Sequence, residues 1–437
     1  MNEPIKNIVF AGEWLWLGNL GHAFTIIAFI AAIASAYFYF QHESSKDNSM
    51  LQWAKRCFQL HAISIVGVFV VLFSIIFYHR YEFYYAWRHS SNALPVYYMI
   101  SCFWEGQEGS FLLWLFWNAL IGLVLQRSAK DWESPVMVVI AFAQIALGSM
   151  LVGFHWGDFK IGSSPFDLLR EQRPDFLNIP ILGQLGVENY LQVFKDGNGL
   201  NALLQNYWMV IHPPTLFLGF ATAIVPFAYS LSALWRGIDR GWIAPAHIWS
   251  LVCAGILGLG IIMGGFWAYE SLSFGGYWAW DPVENASLVP WLTLVAGLHT
   301  NMIAKSTGYS LRPTYFFYIV SFLLILYSTF LTRSGILGDT SVHAFTDLGM
   351  NTQLLVFLLI FVIPAFTIFA IRYKSIPSIA KEEETSSREF WMFIGSLVLF
   401  LAGMVIIAKT STPVANKLFG TNIALPEDPE FAHNQIQ

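Results

Sequence analysis

The sequence has little charge. Only 12% of its 437 residues are Asp, Glu, Lys or Arg, against about 25% in a typical soluble domain. That excludes an ordinary water-exposed globular surface. Thiols are also scarce. The three cysteines, Cys57, Cys102 and Cys253, lie far apart with no CxxC, so any thiol chemistry must belong to a partner or a substrate. A formal net charge of −5 offers no basic surface, and no nucleic-acid partner is expected. There is no internal repeat and no low-complexity tract. Nor is there a matched pair of interrupted helices in the two halves, the pattern of many secondary transporters. The first apolar run begins only near residue 18 and lacks a basic flank with a small-residue cleavage site, so no cleavable signal peptide is expected.

What the chain has in excess is apolar length. Hydrophobic residues make up 56% of it, in runs near residues 18–40, 58–78, 109–125, 136–155, 213–234, 248–267, 288–304, 314–330, 352–371 and 390–408. A bilayer needs about 20 apolar residues per helical crossing, so the expected fold is an all-α polytopic membrane protein of about ten transmembrane helices. Lys and Arg then set the orientation. Lys46, Lys55, Arg56, Arg127, Lys130, Arg236, Arg240, Lys305, Arg312, Arg372, Lys374, Lys381 and Arg388 fall in one set of loops. That set reads as cytoplasmic, which turns both termini outward. The KEEET run from Lys381 reads as a solvated cytoplasmic loop. The natural divisions are 1–78 (two spans), 79–206 (two spans and two outer loops), 207–350 (a core of four spans) and 351–437 (two spans and an outer tail).

The outer side carries the unusual sequence. HSSNALP begins at His89 and WEGQEGS at Trp104, and a long segment from Trp156 to about Asn206 reads as loop and turns. The centre is GGYWAWDPVENAS, from Gly275 to Ser287. Trp267, Tyr269, Phe274, Tyr277, Trp278 and Trp280 crowd into fifteen residues, and the stretch carries Asp281 and Glu284 but no Lys or Arg. A single Trp here reads most simply as part of an interfacial belt. Six rings around a Gly pair and an Asp-Pro turn exceed what a belt needs, and they read as a platform for a large, flat, apolar ligand.

Eleven histidines are present. His42, His79, His89 and His433 fall in loops and read as solvated. His22, His61, His155 and His247 sit near or within helices and read as structural. His212, in MVIHPPTLFLG, is expected at a helix entrance, because two prolines suit a first turn but break an interior. His343, in LTRSGILGDTSVHAF, lies in an outer loop. Both share a side with the aromatic stretch. Each suits a structural role, and together they suit ligation of a haem iron from opposite faces. His299, about twelve residues into its span, is either hydrogen-bonded to a neighbouring helix or a ligand of a second, membrane-buried haem.

These residues resemble a known family. FWAYESLSFGGYWAWDPVENASLVPW is similar to the tryptophan-rich signature of membrane proteins that handle haem during cytochrome c maturation. IHPPTLFLG, LTRSG, SVHAF, HSSNALP and EGQEGS resemble the CcmF branch, whereas the related CcsA proteins lack most of these flanks. The resemblance runs from about Tyr78 to Phe419. It implies a haem lyase subunit in the bacterial inner membrane, working at its periplasmic face. Its expected partners are the haem chaperone CcmE, CcmH-type subunits and apocytochrome c with its CxxCH thiols. It also implies that His212 and His343 ligate incoming haem, that His299 holds one side of a membrane haem b, and that Trp267, Tyr277, Trp278, Trp280 and Asp281 contact haem. Phe274 and Tyr277 stand where the family often has Trp. The resemblance implies further spans beyond the polar tail LPEDPEFAHNQIQ, so the chain reads as a fragment or as one half of a split protein with a separate C-terminal CcmF polypeptide.

The implied chemistry adds two cysteine thiols across two haem vinyl groups, for which this chain need supply position rather than a nucleophile. Two rivals remain. A haem transporter would hand haem on without the thioether bond, and a quinone-reactive electron-transfer subunit would depend on His299 alone.

Overall fold

The computed structural model describes residues 9–157, 159–272, 276–337, 350–378 and 385–423. His343, His433, Phe274, Gly275 and most of the KEEET run lie outside the described residues. From the N-terminus, α1 (Leu15–Ser45) and α2 (Asn48–Phe77) form a hairpin, capped at its turn by Asp47 accepting from Ser49 N. Two short helices follow, α3 (Tyr84–His89) and α4 (Val96–Glu105), then α5 (Gln107–Ser128) and α6 (Glu133–Ser149). The outer segment holds the hairpin β1 (Phe154–Trp156) and β2 (Phe159–Ile161) with the short helices α7 (Leu169–Gln172) and α8 (Leu182–Leu185). Then come α9 (Tyr207–Arg236), α10 (Ile243–Ser271), α11 (Pro282–Thr307) and α12 (Leu311–Arg333). The described chain closes with α13 (Asn351–Arg372), α14 (Arg388–Thr410) and the short α15 (Thr412–Phe419).

Ten of these helices are long and apolar enough to cross a membrane. Each expected run overlaps one of them, and the protein is an all-α, multi-pass membrane protein. The fourth run ends earlier than expected, at Ser149 rather than near residue 155. Met150 closes the helix, Gly153 then takes a φ of 63° and turns the chain, and His155 sits in β1 opposite Lys160. Hydropathy continues across this break, so composition alone runs through it.

Two stretches expected as loops are built structure. Residues 78–108 contain α3 and α4, and α4 is separated from α5 by Gly106 alone, with φ −73° and ψ 161°. A broken helix frees backbone groups that an apolar surround cannot satisfy, and side chains take them up here. Tyr85 Oη donates to Phe103 O at 2.8 Å and accepts from Gly106 N at 3.2 Å, while Ser110 Oγ donates to Trp104 O at 2.8 Å. The segment 150–206 folds as a cap whose Phe166, Leu169, Leu182 and Tyr190 are buried. Glu13 ties the N-terminus to it, accepting from Arg170 Nε and Tyr190 Oη, both at 2.8 Å.

At the opposite end of the bundle, Arg236 of α9 grips Glu43 of α1 through two bonds of 2.7 and 2.6 Å. Lys55 pairs with Glu133 at 2.9 Å, and Glu133 also accepts from Tyr39 Oη at 3.1 Å. The interior between these ends is aromatic, with Trp114, Trp242, Tyr315, Tyr318 and Phe227 fully buried.

Candidate functional site

Helix α9 positions the first functional side chain, in a way the sequence did not suggest. The Asn206 side chain caps it by accepting from Trp208 N at 2.8 Å. His212 therefore lies in the second turn, with Pro213 and Pro214 inside the helix rather than at its entrance. Pro213 has no N–H to return to the carbonyl four residues back. That carbonyl, of Met209, accepts from Trp104 Nε1 at 2.9 Å instead. The proline thus joins α9 to the end of α4.

His212 rests against α10. Its Nδ1 lies 2.8 Å from Gly260 O. A carbonyl accepts only, so Nδ1 carries a proton and donates it. Small residues make this approach fit. A Cβ on Gly264 would stand 2.9 Å from His212 Cε1, and one on Gly260 would stand 3.0 Å from Leu216 Cα. The Gly260-x-x-x-Gly264 spacing thus serves close helix contact.

The aromatic segment lies at the start of α11. Asp281 caps this helix, accepting from Val283 N at 2.9 Å, and Glu284 Oε2 returns to Ala279 N and Asp281 N at 2.9 and 3.2 Å. This is a full capping box. The preceding Trp280 has a φ of 56°, and Asn285 Nδ2 holds its carbonyl at 2.9 Å. The turn sets Trp278 and Trp280 edge to face at 5.9 Å. Tyr277 faces outward and stacks on Tyr269 at 4.3 Å.

These parts enclose a cavity of about 350 Å³ between the N-terminal ends of α9 and α11 and the C-terminal ends of α10 and α12, within the range of small-molecule sites. His212, Trp267, Trp278 and Glu284 line it, with Phe217 and Phe220 below. Trp104 and Glu105 of α4 and Arg333 at the end of α12 complete the wall, and Asn201, Leu203 and Leu204 roof it. Trp267 Nε1 donates to Leu203 O at 3.1 Å, fastening the roof.

The sequence-predicted residues thus divide. His212, Trp267 and Trp278 share the cavity, while Asp281, Trp280 and Tyr277 shape its rim without lining it. His299 lies twelve residues deeper along α11 than Ser287, about 18 Å at 1.5 Å per residue, and bonds Val295 O of its own helix at 2.8 Å. It therefore lies apart from the cavity. The histidines that read as structural near or within helices are engaged: His61 with Ala28 O at 2.8 Å, His22 against Phe166, and His247 beside Asn301 and Lys305.

His89, which reads as solvated from sequence, is mostly buried and pairs through Nδ1 with Glu105 Oε2 at 2.9 Å. His42 likewise bonds Ser134 Oγ, at 2.6 Å. Sequence reasoning assigned no role to Trp104, Glu105 or Arg333. The available signals were the WEGQEGS motif and a lone Arg ending an apolar run. Behind Glu105, burial pushes the Tyr85 hydroxyl and the Cys102 thiol upward, so both stay protonated.

Among the described residues, an apolar, tryptophan-walled cavity with a histidine at its side thus lies between the ends of helices long enough to cross a membrane. The chain belongs to the cytochrome c assembly protein family, which matches over residues 104–337. Its relatives there are of the CcmF type. It is 33% identical to the cytochrome c-type biogenesis protein CcmF of Pseudomonas aeruginosa, over 75% of this chain and 46% of that protein. To the cytochrome c-type biogenesis protein CycK of Rhizobium meliloti it is 31% identical over 93% of this chain and 56% of that protein. The solved cytochrome c heme lyase CcmF superposes with a TM-score of 0.70 at 25% identity, covering 93% of this chain and 58% of that one. The chain spans about half the length of the curated relatives it matches.

Proposed function

We propose that this chain holds haem in the outer cavity and takes part in joining it to the CxxCH thiols of apocytochrome c. The membrane would be the bacterial inner membrane, with the cavity at its periplasmic face. One observation carries this reading. His212, anchored through Nδ1 to Gly260 O, lines an apolar cavity walled by Trp267 and Trp278. A neutral imidazole whose other nitrogen is anchored is the usual form of a haem ligand. The residues present fit the group, since Phe217 and Phe220 suit a porphyrin face and Arg333 suits a propionate.

In this reading His343 would be a second ligand of the haem iron. Fixing haem and thiols in one place converts a rare encounter into a local one, an effect worth several kcal/mol. The haem chaperone CcmE, CcmH-type subunits and a separate C-terminal CcmF polypeptide are the proposed partners. His299 is proposed as one ligand of a second haem, buried in the membrane, whose chemistry would be electron supply.

The test uses the purified chain with its partners and chaperone-delivered haem. Loaded haem is read by its absorption spectrum and thioether product by the pyridine haemochrome. His212→Ala and His343→Ala should each lower attachment at least tenfold. Full attachment in both variants would reject the ligation scheme. Haem that passes through with no thioether formed would favour the transporter reading.

A further inference from the structure

The pair His89–Glu105 has no role in the binding scheme, yet it stands on the cavity wall. Glu105 ends α4 at the helix break and lines the same space as Trp278 and His212. Behind it, His89 Nδ1 lies 2.9 Å from Glu105 Oε2, and the two side chains are 13% and 16% exposed. The imidazole is fixed from one side by the Tyr85 ring, 4.6 Å away. From the other it is fixed by Gly106, where a Cβ would come within 2.8 Å of His89 Nε2. Tyr85 is itself locked to Phe103 O and Gly106 N. The arrangement is a carboxylate facing a cavity, a histidine paired with it and a third group orienting the histidine, which is the construction of a general acid–base site.

The second carboxylate lining the cavity has a structural duty. Glu284 Oε2 accepts two backbone N–H groups in the α11 capping box. Glu105 makes its described bond to another titratable side chain, and a shared proton can move between the two.

We propose that Glu105, backed by His89, is the proton shuttle for thioether formation, an inference that rests on the lyase reading above. The Glu105 carboxylate takes the proton of the cysteine thiol, breaking S–H. The sulfur electron pair forms a C–S bond at the inner vinyl carbon. The vinyl π pair takes the proton from Glu105 at the terminal carbon, which becomes a methyl group. One S–H and one C=C π bond are exchanged for one C–S and one C–H bond, and nothing is oxidised or reduced.

The titratable and charged groups around Glu105 come from every neighbouring element. They are His89 and Tyr85 on α3, Cys102 on α4, Glu108 on α5 and Arg333 on α12, with His212 on α9 and Glu284 on α11 across the cavity. Tyr85 and Cys102 remain protonated, so neither offers a base, whereas Glu105 is a cavity-lining carboxylate paired with a second titratable side chain.

The test uses the full chain with its partners and chaperone-delivered haem. Glu105→Gln keeps the shape and a hydrogen bond to His89, so the spectrum of bound haem should match wild type. The attachment rate should fall at least a hundredfold, the lower end for a lost acid–base group. Glu105→Asp should recover part of the rate, and His89→Gln should shift the pH profile of attachment while leaving haem loading intact. Glu105→Gln that attaches haem at the wild-type rate with an unchanged pH profile would overturn the shuttle and leave the lyase reading standing. Wild-type protein that loads haem but forms no thioether with all partners present would overturn both. A loss of haem loading in Glu105→Gln together with Glu105→Asp would assign Glu105 to binding and overturn the shuttle.

Discussion

A 2.8 Å bond from His212 to Gly260 O decides which nitrogen of the ring is anchored to the backbone. At this scale function depends on where single protons are held, and the outer cap holds one more. Asp167 is mostly withdrawn from water, and burial raises its pKa to about 6 despite the bond from Gln172 Nε2. Between about 4, the ordinary value for Asp, and 6 the folded state therefore holds a proton that the unfolded chain has released. Stability conferred by the neutral form is full at low pH and declines as pH rises through about 6. Asp167→Asn should remove that decline and raise stability at pH 7.5 by on the order of 2 kcal/mol. Thermal unfolding in detergent at pH 4.5 and 7.5 reads it, and equal pH dependence in both proteins would refute it.

At the scale of helices, the cavity is a consequence of which faces can approach. Gly260 and Gly264 let α9 close on α10 until the imidazole lies against the backbone. Gly264→Leu should push His212 away without breaking either helix. The expected result is at least a tenfold loss of loaded haem, with an unchanged far-ultraviolet circular dichroism spectrum. Retained loading would show that the close contact is dispensable.

The ten crossings were legible because apolar length alone announces a span. The aromatic turn was legible because six rings, an Asp-Pro and no base in fifteen residues exceed any belt. What remained hidden depends on contacts between distant segments. His89 read as solvated because it sits among polar loop residues, and only Glu105, sixteen positions on, explains its burial. The prolines after His212 suggested a first turn, whereas Trp104 takes up the carbonyl that Pro213 leaves free and lets the helix run on. Trp280 and Asp281 belong to the signature, yet their described contacts form the turn and cap rather than the cavity wall.

Across the whole molecule, the outer cap and the N-terminus form one unit through Glu13, whose side chain is 2% exposed. Glu13→Ala would leave the Tyr190 hydroxyl without its acceptor and Arg170, over Phe10, with only the longer 3.5 Å contact to Glu171. Removing one partner of so enclosed a pair costs about 2–3 kcal/mol. The expected result is a lower unfolding midpoint and faster protease cleavage within residues 160–206. Unaltered cleavage would show that the cap holds without this tie.

The roof has a kinetic consequence. Besides the Trp267–Leu203 bond, it is moored where Asn206 and Trp208 both donate to Glu270, at 2.9 and 3.0 Å. All three bonds lie at exposed positions, where each is worth about 1 kcal/mol. Together they contribute about 3 kcal/mol to holding the roof closed, so under the haem-binding reading each bond removed should shorten the residence of bound haem about fivefold.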